Sequence, residues 1–143
     1  MGAVTKLLFR AGFAPVAHLE ARKRPDADCK CPYCGHPDED VVHMLLDCHA
    51  FNRERDAMLE QLGNTVGAAL LDDWWAQPPQ AQVQTMLGDH FWGNKATAVD
   101  RLVQAYLLAL VRARAARLQN AHNRTNTAST PAGARAHGSC CYG

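Results

Sequence analysis

The stretch Cys29-Lys30-Cys31-Pro32-Tyr33-Cys34-Gly35-His36-Pro37-Asp38-Glu39-Asp40-Val41-Val42-His43-Met44-Leu45-Leu46-Asp47-Cys48 decides how this chain is read. Within it, Cys31-x2-Cys34-x8-His43-x4-Cys48 supplies three thiolates and one imidazole, the ligand set of a closed tetrahedral zinc site. With all four positions filled by protein, no place remains for water or substrate, so the expected cofactor is one structural Zn2+. Cys29 could replace Cys31 as first ligand, and His36 or His49 could stand in for His43. The Cys-Pro-Tyr-Cys-Gly order favours Cys31 and Cys34. Pro32 fixes its own φ and Gly35 tolerates a positive one, which suits a compact turn.

Outward from the turn, acidic residues Asp38, Glu39 and Asp40 precede an apolar run, as at a helix N-terminus. Val42, Leu45, Leu46, Phe51, Met58, Leu59 and Leu62 predict an apolar face on one helix or two, stopping at Gly63-Asn64. One constraint follows from helix geometry. Residues five apart on a regular α-helix point about 140° away from each other. His43 and Cys48 can therefore share an ion only if the helix ends or tightens near Cys48, or restarts near Ala50.

The remaining sequence reads as mostly α. A basic helical leader is expected over 1–28, the zinc module over 29–62, a helical region over 63–120 and a disordered tail over 121–143. Lys95 to Gln119 carries the clearest amphipathic pattern, with Val99, Leu102, Val103, Tyr106, Leu110 and Ala113 at helical spacing. That stripe suits core packing, or a protein partner or self-association through 95–119. Cys140 and Cys141, at the end of the tail, read as free thiols.

The formal net charge of +1 makes no global case for nucleic acid. Its distribution is more telling: Lys6, Arg10, Arg22, Lys23 and Arg24 are basic, acidic residues surround the metal turn, and Arg101, Arg112, Arg114, Arg117 and Arg124 form a third zone. No secretory signal and no membrane-length apolar stretch is visible, so an intracellular, reducing location is expected, with no membrane partner. Asp72-Asp73 is the one adjacent acidic pair outside the cluster, and it reads as a helix start or surface turn rather than a two-metal site. Without a Gly-rich phosphate loop or a nucleophile constellation, no enzymatic activity is expected.

The residues Leu8-Phe9-Arg10-Ala11-Gly12-Phe13-Ala14-Pro15, Leu19, then Cys31, Cys34, Gly35, Glu39, Val41, His43, Leu45, Leu46 and Cys48, followed by Phe51-Asn52-Arg53-Glu54-Arg55, resemble the zinc-binding region near the C-terminus of non-LTR retrotransposon reverse transcriptases. The resemblance spans roughly Leu7 to Leu62. It departs from the family where Phe13 replaces a His, Met44 a Leu and His49 a Pro. It implies a zinc-binding accessory module, a fragment or remnant of the polyprotein, that binds RNA or DNA without catalysis and for which the nucleus is a possible location. Phosphate contacts are expected from Arg22, Lys23, Arg24, Lys30, Arg53 and Arg55, and base stacking from Tyr33. A zinc-stabilised protein-interaction module and a nonfunctional relic of a decayed element are the alternatives.

Overall fold

The structure, a computed structural model, describes residues 2–24, 26–88 and 90–127. Among them, six α-helices follow one another: α1 (Gly2–Arg10), α2 (Ala17–Lys23), α3 (Asn52–Val66), α4 (Ala68–Trp75), α5 (Pro79–Leu87) and α6 (Ala96–Thr127). The described residues hold no strand, so the mostly α architecture read from the sequence is what forms. The segment between α2 and α3 carries the Cys/His cluster and short turns only.

The long helix α6 is the spine. Val99, Val103, Tyr106, Leu107 and Leu110 are buried along it, repeating every three or four residues, and α1, α3 and α5 pack against that helix. The amphipathic stripe of the sequence is thus turned into the protein's own core. Cys31 and Cys48 belong to the same apolar cluster as Phe51, Met58 and Leu110, so the metal segment is packed into that core.

Two indoles anchor the α4–α5 corner. Trp74 and Trp92 are almost fully buried, and each donates its indole N–H to a backbone carbonyl, of Gln82 at 3.1 Å and Thr85 at 2.9 Å. Burying such a ring contributes about 4–6 kcal/mol before entropy is charged against it, and the two hydrogen bonds remove the penalty of a dry N–H. Lys6 of α1 is buried and paired with Asp100 of α6.

Two boundaries differ from the sequence reading. Helix α3 runs past Gly63 and stops at Gly67, where φ is +85°, a conformation costly for any residue with a Cβ. Helix α5, within the expected helical region, begins at Pro79, with Pro in the first turn where its missing N–H is harmless. Helix α6 continues to Thr127, through residues expected to begin the tail. The disorder expected of 128–143, and the free thiols Cys140 and Cys141, lie outside the described residues.

Candidate metal centre

The cluster is assembled by two backbone devices. The first is the Cys31–His36 turn: Gly35 N–H donates to Cys31 C=O at 3.0 Å, and Cys31 N–H donates to His36 C=O at 2.8 Å. Gly35 sits at φ +79°, which lets the chain reverse within so few residues. The second device is the turn that carries His43 and Cys48. Asp40 starts it, its carboxylate accepting from His43 N–H at 2.7 Å as an N-cap.

The geometric obstacle noted in the sequence is resolved by widening. Residues His43–Asp47 form a π-turn, closed by an i→i+5 bond from Cys48 N–H to His43 C=O at 2.7 Å. Such a turn brings the fifth residue back over the first, which an α-helix does not. The chain then breaks at Cys48 (φ −59°, ψ 109°) and restarts as a 3-10 turn over His49–Phe51 before α3. The ending at Cys48 and the restart near Ala50 were among the expected alternatives; the loosening, in place of a tightening, was not.

The result is that one donor atom from each of Cys31, Cys34, His43 and Cys48 lies within 4.8 Å of the other three, a group that could hold a metal ion. The sulfurs of Cys31 and Cys48 are 3.8 Å apart, and Cys34 Sγ is 3.2 Å from His43 Nε2. Cys31, His43 and Cys48 are buried and Cys34 half-buried. His36, one of the alternative ligands, instead stacks on the His43 ring at 4.4 Å and donates its Nδ1–H to Asp38 C=O at 2.7 Å.

Burial and hydrogen bonding pull the four groups in different directions. Burial pushes the Cys48 thiol up to about 12, with the neighbouring thiols of Cys34 and Cys31 adding to it, although the Ala50 N–H works the other way. Cys31 is also raised by burial, against the N–H groups of Tyr33 and Cys34. Burial nudges Cys34 upward as well, but the His36 N–H and the Cys31 and Cys48 thiols outweigh it, so its thiol is lowered. His43 is lowered by burial, helped by the nearby His36 ring, which keeps the imidazole neutral and able to donate its lone pair.

Behind the ligands stands a side-chain network that the sequence did not reveal. Glu39, 1% exposed, lies 3.5 Å from Cys31 Sγ, accepts from Ala17 N–H at 2.8 Å, and is gripped by both guanidinium nitrogens of Arg114, one at 3.3 Å. Arg114 also donates to Pro15 C=O and lies over the Tyr33 ring, 4.5 Å from its centroid. Tyr33 meets Phe51 edge-on at 5.1 Å, and Arg117 covers the Phe51 ring at 4.7 Å. Tyr106 donates its hydroxyl to Leu45 C=O at 2.6 Å, inside the π-turn. The available signal was the register: 103, 107, 110 and 114 fall on one face, so Arg114 occupies a core position that only a buried partner can make tolerable.

The residues expected to touch nucleic acid separate into two groups. Arg22, Lys23, Arg24, Lys30 and Arg53 are exposed. Lys23 and Arg24 make surface contacts to Glu20, at 3.1 Å and 3.9 Å. Arg55 instead spends its guanidinium on Cys48 C=O, at 3.1 Å, and on Asn52, while Tyr33 is half-buried against Arg114 and Phe51. Asp72 and Asp73 are exposed on α4.

No protein-family model, no curated protein and no solved structure matches the chain. Among the described residues, no helix is long and apolar enough to cross a membrane.

Proposed function

We propose that the chain is a zinc-stabilised, non-catalytic accessory module of the retrotransposon reverse-transcriptase type, using the metal to fix a basic surface that binds RNA or DNA. The observation that carries the metal half is the convergence of Cys31, Cys34, His43 and Cys48 within 4.8 Å. Zinc is favoured by three sulfur donors and one nitrogen in a closed set. A tetrahedral zinc with bonds of about 2.3 Å to sulfur separates two sulfurs by about 3.8 Å, and Cys31 and Cys48 stand 3.8 Å apart. The Cys34–His43 separation of 3.2 Å is a few tenths shorter than the roughly 3.6 Å such an ion needs, and a small outward movement of one side chain would supply the rest. A shell filled by protein supports a structural role over a catalytic one.

Support for the nucleic-acid half is the exposure of Arg22, Lys23, Arg24, Lys30 and Arg53, cations free to face solvent and reach phosphates. Anisotropy titration of single-stranded RNA and DNA across a salt series, on zinc-loaded and chelated protein, tests both halves together. Zinc-dependent binding with a steep salt slope is the expected result.

A protein-interaction module is the second reading. It is favoured by Val4, Leu7 and Leu8 on α1 and by Phe13 just beyond it, apolar side chains that are 46–65% exposed. Concentration-dependent elution in size-exclusion chromatography, unaffected by RNA, would support it.

A further inference from the structure

We propose that His18, Cys29 and Asp38 form a second, exchangeable site for a borderline-soft divalent metal ion such as zinc, separate from the closed four-ligand cluster. One donor atom from each of the three lies within 4.8 Å of the other two. His18 Nδ1 and Asp38 Oδ1 are already 3.1 Å apart, close to the roughly 3.3 Å separation of two ligand atoms bonded to one tetrahedral ion at about 2.05 Å. An imidazole, a thiolate and a carboxylate together match the preferences of zinc and its first-row neighbours rather than those of magnesium or calcium.

The triad is placed by the backbone. His18 N–H donates to Glu39 C=O at 3.1 Å, and Glu39 N–H donates to Cys29 C=O at 2.7 Å. These two bonds staple the start of α2, the entry to the metal turn and the acidic segment into one unit, and each ligand sits on or beside a stapled residue. Cys29 is thereby committed to a cluster of its own, while Cys31 serves the closed site.

The two sites differ in access. The His18 and Asp38 side chains are 43% and 52% exposed, whereas Cys31 and Cys48 of the first site are 1% exposed. Three protein ligands leave a fourth position open to water, so this ion exchanges with solvent and a chelator strips it first. Its structural effect falls on α2, none of whose residues is fully buried. A bond from His18 ties that helix to the 29–39 loop, and with it the exposed Arg22 and Lys23.

The test counts bound metal in the full chain carrying Cys140→Ser and Cys141→Ser, so that those thiols contribute nothing. Equilibrium dialysis against Co2+ or Zn2+ alone is expected to give two ions per chain, one at each cluster. His18→Ala, Cys29→Ser and the more exposed Asp38→Asn are each expected to keep one. The Co2+ spectrum of the lost component carries a single-thiolate charge-transfer band, absent from Cys29→Ser. A stoichiometry of one without the substitutions, or of two persisting in all three variants, overturns the proposal.

Discussion

Glu39 and Arg114 stand 75 residues apart in sequence and meet as a buried two-pronged ion pair. Glu39 also faces Cys31 Sγ at 3.5 Å, so the last helix is wired to a candidate metal ligand through one carboxylate. The pair shares its charges with Pro15 C=O and Ala17 N–H, which satisfy hydrogen-bonding capacity that would otherwise be stranded. A buried pair of this kind adds little net stability over an apolar replacement, yet losing one partner leaves a charge with no water. Its role here is positional: it sets where the metal loop sits on α6.

Glu39→Gln or Arg114→Met is therefore expected to destabilise the metal-loaded protein by about 3–5 kcal/mol, read from urea midpoints. The double variant Glu39→Gln/Arg114→Met should cost less than the sum of the two single changes, because the stranded charge is gone. Glu39→Gln should also weaken metal affinity ~10–100-fold, as loss of a partner behind the ligands does. Additive stabilities and unchanged affinity would show that the pair merely decorates the interface.

Tyr106→Phe isolates the support beneath the π-turn. Its hydroxyl is buried, and burial raises its pKa above the ordinary phenol value, so it is a donor at neutral pH. Removing the 2.6 Å bond to Leu45 C=O should cost about 1–3 kcal/mol. Amide exchange should quicken at Cys48, whose N–H closes the turn, and a loss of protection confined to α6 would argue against this link.

How much of this was legible in the sequence varies by element. The ligand spacing and the α6 stripe could be read because both are local: a two-residue gap around Pro32 and a helical period. The need for an interruption between His43 and Cys48 was also legible, since α-helix geometry forbids their meeting. Its form was not, because widening and tightening both satisfy the geometry, and the contact of Tyr106 with Leu45 C=O comes from a helix that sequence places 61 residues away. Glu39 read as one acidic residue among several near a helix start. Only Asp40 has that capping role, while Glu39 turns inward to a cation that sequence places far away. Cys29 was seen as a spare first ligand, and its grouping with His18 and Asp38 depends on long-range backbone bonds that leave no periodic trace.

Metal uptake should release protons. In the metal-free protein burial holds the Cys31 thiol above its ordinary value of 9.0 and pushes Cys48 up to about 12, so both are protonated at neutral pH. A bound thiolate must give its proton up, so filling the closed site should release at least about two protons near pH 7. His43 adds none there: its lowered pKa keeps it neutral above the ordinary histidine value of 6.5. Affinity should then rise ~100-fold per pH unit from pH 7 until the thiols themselves begin to titrate. Calorimetry in buffers of different ionisation enthalpy counts the protons, and a count below one would contradict the burial argument.

Arginine substitutions separate phosphate contact from structural support. Arg22 and Arg24 are exposed, whereas Arg55 donates to Cys48 C=O beside the metal ligands. Arg22→Ala combined with Arg24→Ala should weaken RNA or DNA binding and flatten the log–log salt slope by about 1.4–1.8, the counterions of two phosphates. Thermal stability should barely change, because the Arg24–Glu20 contact lies on the surface. Arg55→Ala should do the reverse. It removes a charged donor from Cys48 C=O, which keeps the Phe51 N–H at 3.1 Å, and costs about 1.5–3 kcal/mol, while the salt slope of the protein that remains folded is unchanged. Were Arg55→Ala to flatten the slope as well, its guanidinium would have to leave Cys48 on binding. Unchanged slopes for all three arginines would move the choice to the apolar face of α1.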